Sequence, residues 1–343
     1  MPRRSVFAAL ALSLVGVPAS APAGVPAVNE SPAALLSQVI AAPAVLSYSG
    51  TVEAVRIGNQ RSEASVYRVE HRAPNLTRRN YSAPAALMGE AMVSKGDVVD
   101  AIDPRRHRIV ETRNGALDDR VAYDDSYTLL LQNYRLIAEP DETYDSRSVA
   151  VISLINKYTA RQTMLLRIDR QTKIVLDRQE FGTDGSFVSE MRFERFEATA
   201  PPASDFTLPK GYQVVQGPTY AQHSSDPQLA ARSAGFAAVE PKGLAEGFAP
   251  VEATMVELRG VRTLHVLYCD GIRTVSLFEN ADATALDTTG LTAEATSVGS
   301  RSAQYAEDGA TALLAWNDAT LHYALVGELT ENELRRIAAS ISR

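Results

Sequence analysis

The chain has 343 residues, 45% of them hydrophobic and 22% charged, with a formal net charge of −7 at neutral pH. That length exceeds what one core usually supports, so two domains are expected, and the composition excludes both a disordered chain and a membrane bundle. The acidic balance excludes general nucleic-acid binding, which needs a basic field to displace counterions, and leaves room only for a local basic patch.

The first residues, "MPRRSVFAALALSLVGVPASAPAG", place Arg3 and Arg4 before an apolar run from Val6 to Val17, with small-residue cleavage patterns after it. This is the build of a secretory signal peptide, expected over 1–23. The run is short for a membrane anchor, and the mature protein is expected to be soluble. Cys269 is the only cysteine, so no internal disulfide can form. Its place at the end of an apolar run predicts a buried, inert thiol.

After the leader, "SPAALLSQVIAA" predicts a helix. Ser31 can cap it, Pro32 suits its first position, and Leu35, Leu36, Val39 and Ile40 share a face. From Val45 the period changes to two. "LSYSGTVEAVRI", "SEASVYRVEHR", "DVVDAID", "RIVETR", "SVAVISLI", "TMLLRID", "KIVLDRQEF" and "FVSEMRFERFEA" read as strands, with tight turns at Gly58-Asn59, "PRRH" and "TDG". Short connections between many strands predict a meandering antiparallel sheet. Along it Tyr67 and Val69 share one face, as do Met164, Leu166 and Ile168, and likewise Phe187, Met191 and Phe193; charged residues take the other face. Such a sheet must cover its apolar side with helices, curl on itself, or bind an apolar ligand, so these eight residues are the apolar-cavity candidates.

A Pro/Gly/Ser/Ala-rich stretch then predicts a linker over 212–240, between a large domain over 30–211 and a small one over 241–343. In the latter, "PVEATMVELRG", "VRTLHVLYCDGIRTVSLFEN", "ATALLAWND" and "TLHYALVGEL" predict a second antiparallel sheet with turns at Asp270-Gly271 and Asn317-Asp318. Thr330-Glu331-Asn332-Glu333 is a capping box opening a last helix. Leu334, Ile337, Ala338 and Ile341 form its apolar stripe.

No catalytic constellation stands out. The five histidines, His71, His107, His223, His265 and His322, are scattered without HExxH, HxH or Cys/His spacing. No GxSxG, P-loop or GxGxxG occurs. The pairs Asp118-Asp119 and Asp124-Asp125 sit among polar loop residues. Neither a cofactor, a metal nor an enzymatic activity is therefore expected. One charge cluster remains: Arg105, Arg106 and Arg108, with Arg113 close by and Arg78-Arg79 upstream. Arginine forks suit phosphate and carboxylate, so the first three are the candidates for an anionic headgroup or an acidic peptide.

The tail "WNDATLHYALVGELTENELRRIAASI" resembles the C-terminal end of the MucB/RseB family, periplasmic regulators of an envelope-stress sigma factor. "LLSQVIAAPAVLSYSGTVEAVR" resembles that family's opening helix and first strand. "MLLRIDRQTKIVLDRQEFGTDGSFVSEMRFERFEA" resembles the end of its large domain, and "LAEGFAPVEATMVE" with "LYCDGIRTVSLFEN" its small domain, all in order. The resemblance implies an α+β fold: a large, curved, LolA-like half-barrel sheet with helices in its concavity, and a smaller antiparallel sheet with a C-terminal helix. It further implies a periplasmic protein that binds the periplasmic part of a single-span anti-sigma factor and shields it from proteolysis. Lipopolysaccharide or lipoprotein acyl chains would be sensed in the cavity, and basic residues would meet headgroups. A LolA-type lipid or lipoprotein carrier is the alternative implied by the large domain alone, and homo-oligomerisation stays open.

Overall fold

A computed structural model describes residues 30–58, 62–113, 127–219, 224, 226–232, 235–258, 261–281, 293–308 and 311–341. The expected signal peptide, His223 and the two Asp-Asp pairs lie outside these residues.

The chain opens on α1 (Pro32–Ala41), where the Ser31 hydroxyl accepts from the Ala34 N–H at 3.2 Å and Pro32 starts the first turn. Its predicted face is buried through Leu35, Leu36 and Val39. Then come β1 (Tyr48–Ile57), β2 (Ser62–Arg72), β3 (Leu76–Ala83), β4 (Ala91–Lys95), β5 (Val98–Asp103) and β6 (Arg108–Arg113). The short α2 (Tyr127–Asn133) leads directly into β7 (Tyr134–Tyr144), followed by β8 (Arg147–Asn156), β9 (Gln162–Asp169), β10 (Val175–Phe181), β11 (Phe187–Glu197) and β12 (Gln213–Thr219). All twelve strands form one open sheet in the order β12-β6-β5-β4-β3-β2-β1-β11-β10-β9-β8-β7. Local hairpins explain most of this order. The β1–β11 pairing, by contrast, joins the two ends of the sequence segment and makes one sheet of two meanders.

The stretch marked by composition as linker carries ordered elements. β12 pairs with β6, and it does so in parallel, the one departure from the expected antiparallel pattern among the described strands. Within the same stretch, α3 (Pro227–Arg232) buries Ala231 in the core of the second sheet. That sheet has seven strands: β13 (Ala249–Leu258), β14 (Val261–Cys269), β15 (Thr274–Asn280), β16 (Ala293–Val298), β17 (Arg301–Asp308), β18 (Thr311–Asn317) and β19 (His322–Gly327), ordered β13-β14-β15-β19-β18-β17-β16. α4 (Glu331–Ser340) closes it. Both halves of the predicted capping box form, and Leu334, Ile337, Ala338 and Ile341 are buried against Leu264, Leu277, Leu314, Trp316 and Tyr323. Cys269 is a buried free thiol, as its setting predicts.

Two features defeat simple alternation. In β11 the register against β1 jumps, so that Phe196 faces Gly50 and Phe193 faces Val52; both rings lie on one face, 5.3 Å apart. Gly50 makes room for this, because a Cβ there would collide with the Arg195 carbonyl and lie 2.7 Å from the Phe193 ring. β8 has no polar face at all: Ala150, Ile152 and Leu154 are buried on one side, Val149 and Val151 on the other. A strand covered on both faces reads as a continuous apolar run rather than an alternation.

Candidate functional site

In antiparallel pairs, residues directly opposite each other lie on the same face. Register therefore carries one face of the large sheet from Tyr67 through Val52 to Phe193, and from Met191 through Arg178 and Leu166 to Ile152. α1 crosses this face. Leu35, Leu36 and Val39 pack with Met164, Leu166 and Ile168 of β9, while Ala42, just beyond the helix, packs with Tyr67, Val69 and Phe193. The Pro43 carbonyl accepts from, or approaches, His71 Nε2 at 2.7 Å, and Tyr127 of α2 donates to the Ala33 carbonyl at 3.0 Å, so the helices are pinned to the face and to each other.

Of the eight predicted cavity residues, six are buried beneath or beside this helix, Met191 is half-buried, and Phe187 is 39% exposed. They form not one surface but two apolar clusters, with Phe187 outside both. The division has a cause that the sequence reading missed. Arg178 and Glu180 stand on the same face between Met191 and Leu166, paired at 3.3 Å, and Ser189 donates to Glu180 at 2.8 Å. A charged pair so placed interrupts the apolar floor with a polar strip.

The arginine cluster sits on the β5–β6 turn. Arg106 pairs with Asp103 at 2.8 Å, and its hydrogen bond holds that carboxyl below the usual range. Arg105 donates to the Ala85 carbonyl at 2.5 Å, and Arg108 lies 4.0 Å from Asp103 with its Nε buried and unpaired. The turn thus carries three guanidinium groups, two of them beside the Asp103 carboxylate and the third on a backbone carbonyl, with Glu90 near enough to act on Arg106. Three residues back along the same hairpin, Asp100 of β5 is buried directly opposite Glu111 of β6, and its Oδ1 has no hydrogen-bond partner. Burial first, and then the facing Glu111, raise its pKa, with Lys95 opposing. An acid whose folded pKa is raised loses folded-state stability as pH climbs from its ordinary unfolded value through the folded one. Asp100→Asn is therefore expected to raise the urea midpoint above wild type at pH 7, with the gap closing below about pH 4, where the unfolded aspartate is itself protonated.

A second polar cluster joins the two sheets. Tyr134, at the start of β7, donates to Asp270 Oδ2 at 2.8 Å, and Asn133 Nδ2 donates to the carbonyls of Gly247 and Asp270 at 2.8 and 2.9 Å. Asp270 also accepts from the N–H groups of Ile272 and Arg273 and pairs with the Arg273 guanidinium at 3.0 Å. Burial and the neighbouring Asp270 raise the Tyr134 pKa, which keeps the phenol a donor. Ile272 packs into the cluster formed by Leu35, Leu36, Leu130 and Leu154. The turn was legible as a hairpin, but nothing local announced its partner. Gly271 was the available signal: at φ +106°, it lies so close to Leu130 that a Cβ would strike the helix backbone. Among the described residues no group of three or more His, Cys, Asp or Glu could hold a metal. No helix among them is long and apolar enough to cross a membrane.

The MucA/MucB complex of Pseudomonas aeruginosa superposes on this architecture with a TM-score of 0.61, covering 91% of this chain and 98% of that one at 16% identity. The fold is that of MucB. A second structure, MucB in complex with MucA(peri), gives a TM-score of 0.60 at 17% identity over 91% of this chain and 98% of that one. MucB by itself gives 0.51 at 18% identity, over 90% and 96% respectively. The likeness to MucB thus spans both sheets, as the colinear resemblance in the sequence implied. Residues 238–341, which contain the whole second sheet and α4, also match a family described as "Domain of unknown function (DUF4367)". No curated protein matches the chain in sequence.

Proposed function

We propose that this protein is an exported, periplasmic negative regulator of an envelope-stress sigma factor, acting by binding the periplasmic part of a membrane anti-sigma factor and shielding it from proteolysis. The observation that carries the reading is the MucB-like fold over both sheets, since the complexes it matches hold MucB with MucA. A carrier built from the large sheet alone would have no use for the seven-stranded sheet or for the buried cluster that ties it down. No bond-making chemistry is invoked; the work is done by competing binding equilibria. Acyl chains of lipopolysaccharide or lipoprotein would take the face beneath α1, on Met164, Leu166, Ile168, Tyr67, Val69, Met191 and Phe193. Phe187 would meet them at the rim, and the cationic Arg105, Arg106 and Arg108 would meet anionic headgroups. The buried state of the floor means that α1 must lift for a guest to enter.

The test is binding of the mature protein to the periplasmic segment of the single-span protein encoded beside the cognate sigma factor, followed by fluorescence anisotropy. Saturable binding at or below micromolar concentration is expected, with release on adding a lipopeptide. No binding to that segment sinks the regulatory reading; binding that saturating lipopeptide and lipopolysaccharide both leave intact removes the sensing part.

A further inference from the structure

Besides the approach of β12 to β13, the two sheets meet through two side-chain contacts of very different strength. One is the buried cluster around Asp270, in which a carboxylate, a guanidinium, a phenol and a carboxamide satisfy one another out of water. The other is the ion pair of Arg56 with Glu328 at 2.5 Å, with side chains 30% and 34% exposed. Pairs this accessible contribute little, about 0–1 kcal/mol, and are screened by salt.

Their positions matter as much as their strengths. Asn133 and Tyr134 stand where β7 begins, and Arg56 stands near the end of β1; in this sheet those are the same end of the strands. β1 and β7 are five places apart in the sheet order, about 24 Å along a flat sheet. On the small sheet, however, both contacts come from one end of two neighbouring strands: Arg273 precedes β15, Glu328 follows β19, and Val275 faces Gly327. One end of the small sheet therefore bridges two well-separated strands at one end of the large sheet. Exposed apolar side chains gather at this same strand end: Ile57 closing β1, Phe187 opening β11 and Tyr158 just past β8. Phe187 lies against Phe181, rings 6.4 Å apart, two residues before the Ser189 that faces Arg56.

We propose that the small sheet is a hinged cover on this end of the apolar face, with the Asn133–Tyr134–Asp270 cluster as its pivot and the Arg56–Glu328 ion pair as its clasp. This rests on the acyl-guest reading above and adds how the guest gains admission. The weak contact opens first, because separating one exposed pair costs far less than orphaning a buried carboxylate and guanidinium. The apolar rim of Ile57, Phe187 and Tyr158 then offers an amphiphile its first contact. Since admission requires the clasp to open, weakening the clasp must tighten guest binding by the same factor that it shifts the closed–open equilibrium.

The experiment uses the full mature chain and a dansyl-labelled C11 fatty acid as probe. It also uses the distance distribution between spin labels at Arg195→Cys and Asn317→Cys, two exposed positions on the two sheets. Cys269 is buried and should stay unlabelled. Arg56→Gln and Glu328→Gln are each expected to bind the probe about twofold to fivefold more tightly than wild type. Both should broaden the distance distribution, and the swap Arg56→Glu with Glu328→Arg should restore both readouts. Tyr134→Phe, which loosens the pivot instead, should shift the distribution whether or not the probe is present. If the clasp variants match wild type in probe affinity and in distance while wild type binds the probe, the cover is overturned and the acyl-guest reading stands. If no form binds the probe, the acyl-guest reading fails and the distance arm alone decides whether a clasp exists; an unchanged distribution in Arg56→Gln overturns it.

Discussion

Asp270→Ala is expected to lower the stability of the protein by about 3–5 kcal/mol, the range for breaking one partner out of a buried charged network. The side chain is fully buried and serves four groups at once: the Tyr134 hydroxyl, the Arg273 guanidinium and the N–H groups of Ile272 and Arg273. Alanine removes all four acceptor contacts and leaves a buried cation uncompensated. Because the cluster links the two sheets, the loss should also split a single unfolding transition into two, the seven-stranded sheet separating from the large one before either melts. Urea unfolding followed by tryptophan fluorescence, which reports Trp316 in the small sheet, and by far-ultraviolet circular dichroism measures both effects. Asp270→Asn keeps the turn's acceptor for the two N–H groups and loses the charge, so it should cost less. Equal losses for the two variants would mean that the ion pair, not the turn, carries the interaction.

The second large effect is expected at Leu36. This α1 side chain is fully buried and shares its cluster with Leu154, Leu166 and Ile168. Leu36→Ala should destabilise the protein by about 2–5 kcal/mol, from lost burial together with the void left behind. The void would be apolar on all sides, and such cavities stay dry and accept small apolar molecules. The variant should therefore bind 1-N-phenylnaphthylamine with a fluorescence gain that exceeds wild type, at the cost of a lower midpoint. A lower midpoint with no gain in probe fluorescence would show that α1 collapses onto β9, and the face beneath it would then be plain core.

Elements whose determinants are neighbours in the chain could be read from the chain. α4 is the clearest case, because Thr330 and Glu333 cap each other three residues apart and the apolar stripe has a helical period. β2, β6 and the β14–β15 hairpin fall where alternation and turn residues put them. α2 and β7 did not show, because "YTLLLQNYRLIAEPDETY" passes from helix to strand with no break in its apolar run, and Pro140 discourages a strand reading. β12 was read as linker, since a seven-residue strand added in parallel at a sheet edge has no hairpin turn to mark it. Within the site, alternation put Tyr67 and Val69 on one face of β2 and Met164, Leu166 and Ile168 on one face of β9, and the register of the strands between joins the two faces. Alternation missed Arg178 and Glu180, which stand there too, because a charged pair on β10 looks solvent-facing until its neighbours on β9 and β11 are known.

What the amino-acid order determined alone was therefore local: the period of each element, the caps and turns that end it, and which side chains it offers to one face. What only the tertiary structure decided was which faces meet. β1 against β11, β12 against β6, and Tyr134 against Asp270 across 136 residues are contacts of this second kind. Their free energy is the gain from burial set against the entropic cost of loop closure over the whole chain, not a property of any short run of residues, so no short run displays them.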